Sequence, residues 1–490
     1  MRTDNHPTLT NSLLLIIILS CAVKCIFAAA LGAGVDESYT IATSRIVDLS
    51  VYDHPPLAWW LVSFMRWLSG TESPFILRLP FILCSAVSTW LIAELTQILF
   101  GESKKIIAAL MFSAAPVLSI TTGSWILPDG PLLLFMLACA CIVARLLFEP
   151  STSPAYWLLA GLYGGFALLS KYHGLFLFSG TFVFLILSSR HRFWLATPWP
   201  YLGAFIGLLI FLPVLLWNAR HEWVSFLFQS SRANPAEWHI WMPFIVLLGQ
   251  ALFLCPPIFY FLLRATYQKI ITRPIHAESL FLLSLGGGPI LIVIMISLWS
   301  KQSLFHWAAP GYMMLIPIAA HYINAQQRLW LAYISYAMWG LTLCVSLLGL
   351  LPINWSSIGI RDPFADMRSW SSLEPLIENI YKEMPAQSFI ATTHWHLTGR
   401  LDYALRGDYR VTCLCRDNRE YGIIYPLSDL RHQSGIILVP FYKTNLSQDM
   451  LEKMFVRLDQ RDDIHIRLGS DVIMRFHVYV GYDFNGAIAE

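Results

Sequence analysis

The sequence predicts a multi-pass α-helical membrane protein with a soluble α/β domain at its C-terminal end. Composition is the first reason. Of the 490 residues 56% are hydrophobic and only 13% charged, and mean hydropathy is +0.56, whereas soluble domains carry about 25% charged residues. Charge distribution is the second. Beyond residue 351 lie 15 of the 33 basic and 18 of the 31 acidic residues, so the preceding stretch is solvated largely by lipid.

A bilayer core of about 30 Å takes about 20 apolar residues per helix. Eleven candidate spans follow: 12–33, 80–100, 106–123, 129–148, 156–170, 172–189, 199–217, 241–264, 278–299, 307–323 and 330–351. The fifth and sixth are short and abut at Ser170-Lys171. The first run ends in Ala28-Ala29-Ala30, loosely like a leader-cleavage site, but its length favours a retained helix. Pro116, Pro213, Cys255-Pro256-Pro257, Gly286-Gly287-Gly288-Pro289 and Pro317 interrupt spans. Such breaks expose backbone groups that neighbouring helices or cavity water must satisfy. They fit helices packed round an interior site and, equally, kinks that only serve packing.

Basic residues set the expected orientation. Alternate loops hold Lys104-Lys105, Arg145, Arg190 with Arg192, Arg264 through Lys269 to Arg273, and Arg328, and Arg2 falls on the same side. If that side is cytoplasmic, the first outer loop 34–79 and the tail 352–490 lie outside, giving domains 1–351 and 352–490. In the tail, strands are expected at Ser388–Thr392, Gly422–Tyr425, Gly435–Val439 and Asp463–Val480. Helices are expected at Glu374–Met384 and Leu397–Leu405.

A net charge of +2 without a basic stripe excludes nucleic acid as a partner. The nine cysteines read as small packing residues, including Cys413 and Cys415, since residues two apart seldom close a disulfide without strain. No phosphate-cradling glycine loop, dinucleotide fingerprint or metal-ligand spacing appears, so neither cofactor nor metal is expected.

The first outer loop carries the strongest chemical signal. Asp36 and Glu37 are adjacent carboxylates at a membrane boundary, an expensive placement unless they pair or act. One of them suits a general base for an attacking hydroxyl; equally, Asp36 suits a helix cap. Asp53-His54-Pro55-Pro56 forms a stiff elbow that presents His54. Leu57–Leu68, with Trp59, Trp60 and Trp67, suits an interfacial helix. Arg78 precedes Pro80 and suits either a phosphate clamp or an interfacial anchor. Asp129 stands at a span entrance, and Lys171, Tyr172 and His173 stand between the two short spans. Asn218, His221, Lys301 and His306 follow at the same outer level. A departing lipid phosphate needs cations, and Arg78, Lys171, His221 and Lys301 are the candidates.

Taken in order, Asp36-Glu37, Asp53-His54-Pro55-Pro56-Leu57, Leu77-Arg78-Leu79-Pro80, Pro128-Asp129-Gly130-Pro131 and Leu169-Ser170-Lys171-Tyr172-His173-Gly174 resemble bacterial glycosyltransferase family 39. Those proteins are relatives of the dolichyl-phosphate-mannose protein mannosyltransferases. The chain also looks like the family 83 transferases of aminoarabinose and galacturonic acid to lipid A. The resemblance implies a GT-C fold with an outer-face cavity, a polyprenyl (undecaprenyl) phosphate sugar donor and inversion at the anomeric carbon. The favoured acceptor is a glycolipid such as lipid A or the lipopolysaccharide core, with a protein hydroxyl or a growing polysaccharide as alternatives, in a bacterial inner membrane with the site facing the periplasm. By the same resemblance Asp36 is the base, Glu37 shapes the site, and Lys171 and Arg78 face the donor phosphate, with His54, Asp129, His221 and Lys301 at the cavity. At Asp53-His54 the chain departs from the Thr-Lys that aminoarabinose transferases commonly have there.

Two other classes remain as alternatives. A transporter or flippase of lipid-linked sugar would show paired halves, and none is visible. A polysaccharide polymerase or ligase would carry its signal in a late external loop.

Overall fold

The computed structural model describes residues 6–232, 237–300, 304–351, 353–360, 362–368, 370–441, 447–468 and 471–488. Arg2, Lys301 and Gln302 lie outside them. By internal contacts the chain forms two units. One comprises residues 1–28, 54–58 and 78–345; the other comprises 29–53, 59–77 and 346–490.

The first unit is helical. Among the described residues six helices are long and apolar enough to cross a membrane: Leu9–Ala30, Pro74–Phe100, Asp129–Phe148, Trp199–Arg220, Ala277–Ser297 and Ala325–Leu350. Two further segments are helix pairs, Glu102–Ala114 with Val117–Ser124 and Met242–Leu254 with Pro256–Ile271, bent by 79° and 112°. Those bends fall at Pro116 and at Cys255-Pro256-Pro257. Pro213, Pro289 and Pro317 instead sit inside unbroken helices. The helices Tyr156–Ser170, Leu175–Leu187 and Ala309–Tyr322 are shorter.

Lipid gives apolar helices no reason to associate with each other, so close approach through small residues does the work. Helix Tyr156–Ser170 meets helix Trp199–Arg220 at Gly161 and Gly203: a Cβ on Gly161 would fall 1.9 Å from the Gly203 carbonyl oxygen. Any side chain there forces the pair apart. The core beside this crossing gathers Leu133, Met136, Ala140, Leu177, Phe184, Phe281 and Met313.

The second unit is α/β. Its sheet has order β2-β1-β3-β5-β4, with β1 Phe389–Thr392, β2 Val411–Cys413, β3 Gly435–Pro440, β4 Phe455–Leu468 and β5 Asp471–Phe484. Strand β1 runs parallel to β2 and β3, while β5 is antiparallel to both β3 and β4. Successive strand residues face opposite sides. Accordingly Ile436 and Leu438 join Leu397, Leu401 and Phe476 in one core, and Ile437 and Val439 join Phe389, Leu451 and Phe484 in another. A central strand buried on both faces reads as an unbroken apolar run, which is why Gly435–Pro440 is legible.

Two expectations fail in this unit. Residues Tyr421–Ile424 form a helical turn, not a strand; a four-residue apolar run does not by itself choose between the two. Cys413 and Cys415 form a disulfide with a Cα separation of 5.4 Å, a spacing that bridging permits, so these two are not simple packing residues. The remaining seven cysteines are free.

Candidate active site

Val35–Thr43 forms a helix whose first turn carries both predicted carboxylates. Consecutive helical residues point about 100° apart, and the two separate completely in role. Glu37 is buried, and its Oε2 accepts the Gly34 backbone N–H at 2.9 Å. That bond satisfies one of the donors a helix start leaves open. Asp36 is exposed. Capping therefore falls to Glu37, while Asp36 remains exposed.

Around this helix the second unit builds a polar circuit. Tyr39 Oη donates to Asp53 Oδ1 at 3.4 Å and accepts the Glu420 N–H at 3.3 Å. The Tyr52 N–H donates to Glu420 Oε2 at 2.6 Å. Arg419 Nη1 donates to Asp53 Oδ2 at 3.0 Å, and its guanidinium carbon lies 3.5 Å from the Trp395 ring centroid. The Tyr39 ring meets Trp59, Trp395 and Tyr421 edge-on. Nearby, Arg45 bridges Glu72 at 2.7 Å and Asp402 at 2.6 Å, and Tyr421 Oη donates to Asp402 Oδ2.

Burial governs the charges here. It pushes the Glu420 carboxyl up to about 8, partly opposed by the Tyr52 N–H and reinforced by Asp53 and Asp48. It raises Asp402 to about 6 although Arg45 and Tyr421 pull the other way.

In the helical unit, Lys171 Nζ lies 2.9 Å from both Oδ1 and Oδ2 of Asp129, and both side chains are buried. Asp129 opens its helix, where a carboxylate complements the exposed N–H groups. Lys171 is extended between helices Tyr156–Ser170 and Leu175–Leu187. His173, a residue of the turn Tyr172–Gly174, feels the charges of Lys171, Asp129, His306 and His54. Five predicted residues thus come together: His54, Asp129, Lys171, His173 and His306.

Other predicted residues have partners of their own. Arg78 is buried and donates from Nη1 to the Ala28 carbonyl at 2.8 Å. Tyr172 packs against Phe226 and Phe211. Asn218 holds the end of its own helix: its Nδ2 donates to the Val214 carbonyl and its Oδ1 accepts the Ser225 N–H. His221 stacks on Trp217 at 4.1 Å and bonds that residue's carbonyl. Lys301 is outside the described residues. Among the described residues no group of three or more His, Cys, Asp or Glu is placed to hold a metal ion.

An apolar cavity of about 240 Å³, lined by Trp157, Leu177, Phe178, Leu185, Tyr201 and neighbours, contains no carboxylate, amine or guanidinium. It is therefore distinct from the polar cluster.

Sequence reasoning missed Tyr39, Trp395, Arg419 and Glu420. Asp53 stood out only as the start of the proline elbow and as a departure from the aminoarabinose-transferase pattern. Arg419 and Glu420 carry no local signal at all, being two charges among 33 in the tail.

The family described as dolichyl-phosphate-mannose-protein mannosyltransferase matches residues 53–217. That stretch contains His54, Arg78, Asp129, Lys171, Tyr172 and His173 and begins after Asp36. Lipid A galacturonosyltransferase RgtD of Rhizobium johnstonii is 24% identical over 319 residues, which is 64% of this chain and 64% of that protein. The match thus spans a little under two thirds of the relative's length. Among solved structures, ArnT from Cupriavidus metallidurans bound to undecaprenyl phosphate shares the fold with a TM-score of 0.65 at 15% identity, over 96% of this chain and 98% of that one. The apo oligosaccharyltransferase of Archaeoglobus fulgidus gives 0.51 at 12% identity, over 84% and 64%. The chain thus has the GT-C fold that ArnT and the archaeal oligosaccharyltransferase share, and its residues 53–217 match the mannosyltransferase family.

Proposed function

We propose that the protein transfers a sugar from a polyprenyl-phosphate carrier to a cell-envelope glycolipid, with lipid A or the lipopolysaccharide core as the favoured acceptor. The observation that carries this reading is the buried cluster of Asp129, Lys171, His173, His306 and His54 in a unit otherwise made of apolar helices. Ionisable groups among membrane helices are costly and mark sites of function. Most of this cluster lies within the mannosyltransferase-family match.

Asp36 takes the proton of the acceptor hydroxyl. The hydroxyl oxygen attacks the anomeric carbon from the face opposite the phosphate, and the bond between that carbon and the phosphate oxygen breaks. Its electron pair leaves with polyprenyl phosphate, inverting the configuration. Lysine has three donor protons. Two of those on Lys171 meet Asp129, and the third is assigned to the donor phosphate, with Arg78 as a second cation. Asp129 holds the Lys171 ammonium in place.

The sugar assigned first is a hexuronic acid, the class named for RgtD, in preference to an aminopentose or neutral hexose. Undecaprenyl phosphate is the assigned carrier, from the molecule bound to ArnT. The site and the C-terminal unit are assigned to the periplasm. The alternating basic loops support that side, as does the Cys413–Cys415 disulfide, since such bonds persist in oxidising compartments.

The test is transfer by the purified protein in lipid nanodiscs, with undecaprenyl-phosphate-linked galacturonic acid, aminoarabinose or mannose and with lipid A. A lipid A mass increased by one sugar residue is the expected result. No product from any of these donors, together with unchanged envelope glycolipid masses in a strain lacking the gene, would overturn the reading.

A further inference from the structure

We propose that Arg419, in the tail, is a positioning residue for the transfer chemistry and acts through Asp53 and Tyr39 on the helix Val35–Thr43 that carries Asp36. The proposal rests on the transfer reading above and adds a residue to which no comparison assigns a role.

Within the second unit Asp53 is held from two directions. Arg419 Nη1 reaches its Oδ2 at 3.0 Å and Tyr39 Oη its Oδ1 at 3.4 Å. The preceding residue is fixed as well, because the Tyr52 N–H donates to Glu420 Oε2 at 2.6 Å. Two consecutive tail residues therefore grip two consecutive loop residues. Arg419 is itself locked by the face of Trp395, 3.5 Å from its guanidinium carbon. The side chains of Arg419 and Asp53 are 12% and 4% exposed, so the pair is little screened by water.

Arg419 also has a backbone φ of +48°. A non-glycine residue in the left-handed region is uncommon and persists only where its surroundings over-determine it. Here Asp53, Trp395 and the Glu420 contact surround that turn and hold the guanidinium in place.

Asp53 is also the acceptor for Tyr39 Oη, and Tyr39 lies one helical turn after Asp36 on helix Val35–Thr43. Releasing Asp53 therefore loosens Tyr39 and with it the helix that carries Asp36. Arg419 touches no reacting atom. It fixes the helix on which the proposed base sits.

The experiment measures transfer kinetics for Arg419→Gln, Asp53→Asn, the double variant and the exchanged pair Asp53→Arg with Arg419→Asp, all in the full chain. Each single variant is expected to lower kcat about 10- to 100-fold, the scale of an ångström-size misplacement, with KM for the lipid-linked donor changed less than about threefold. The double variant is expected to be no worse than either single one, because the two act as one unit, and the exchanged pair to regain part of the lost kcat. Full activity in Arg419→Gln, or losses that multiply in the double variant, would overturn the proposal. Hydrogen exchange supplies a readout independent of turnover: Arg419→Gln should accelerate exchange at the Tyr52 amide and across residues 50–54. Unchanged exchange there sinks the positioning role even if no donor is turned over. A wild-type protein inactive with every donor, but with the expected exchange change, would instead count against the transfer reading alone.

Discussion

Lys171 Nζ stands equidistant, at 2.9 Å, from the two carboxylate oxygens of Asp129, across 42 residues of sequence and deep among apolar helices. A buried pair of this kind contributes little net stability, since desolvating both charges offsets their attraction. Its presence is better explained by what the charges do. Removing one partner leaves the other uncompensated, at a cost of about 3–5 kcal/mol. Lys171→Met and Asp129→Leu should each lower the melting temperature in detergent and abolish transfer. The double variant should recover most of the melting temperature and none of the activity. Recovery of transfer in the double variant would make the pair purely structural.

Glu420 predicts a pH dependence. An unfolded glutamate titrates near 4.5, whereas burial holds Glu420 at about 8 in the folded chain. Between those values the folded state retains a proton that the unfolded state has lost. Stability from this group is therefore complete below about pH 4.5 and falls as pH rises to about 8, by up to about 1.4 kcal/mol per pH unit. Glu420→Gln keeps an acceptor for the Tyr52 N–H and removes the titration. Melting temperatures of wild type and variant between pH 5 and 8 should diverge, with the wild type falling more steeply. Parallel curves would show that Glu420 titrates as an ordinary carboxyl.

Gly399 sits where helix Trp395–Ala404 crosses the helix carrying Asp36. A Cβ there would come within 2.8 Å of the Tyr39 Cα and 3.0 Å of its backbone nitrogen. Backbone gives way less easily than a side chain, so Gly399→Ala must displace helix Val35–Thr43. Transfer should drop about tenfold or more, in line with the cost of misplacing a reacting group, while the membrane-inserted protein still accumulates. Wild-type rates in Gly399→Ala would mean that the tail does not set the pose of that helix.

The sequence and the structure agree where a single physical rule decides. Each of the eleven apolar runs is helical because backbone groups in lipid have no other partner. β3 is legible because a doubly buried strand is apolar throughout. Prolines are less decisive: Pro116 and Pro256 mark bends, but Pro213 and Pro289 do not, because helix neighbours can satisfy a freed carbonyl as well as a break can. The run 422–425 is too short for its periodicity to separate turn from strand. At the site, Asp129 and Lys171 stood out singly as charges at span ends. Their pairing depends on which helices adjoin, and no local pattern encodes that. The same holds for Asp53 and Arg419, which are 366 residues apart. Asp36 and Glu37 looked equivalent until the helix start separated them, because only the three-dimensional cap shows which one accepts the Gly34 N–H.

The exposed member of that doublet is the proposed base. Asp36→Asn removes a proton acceptor while preserving shape, and the protein should insert, melt and bind lipid-linked donor as the wild type does. Transfer to lipid A, followed by mass in nanodiscs, should fall by at least about 100-fold, the lower end of what general-base removal costs. Turnover within a few-fold of wild type would contradict the central claim.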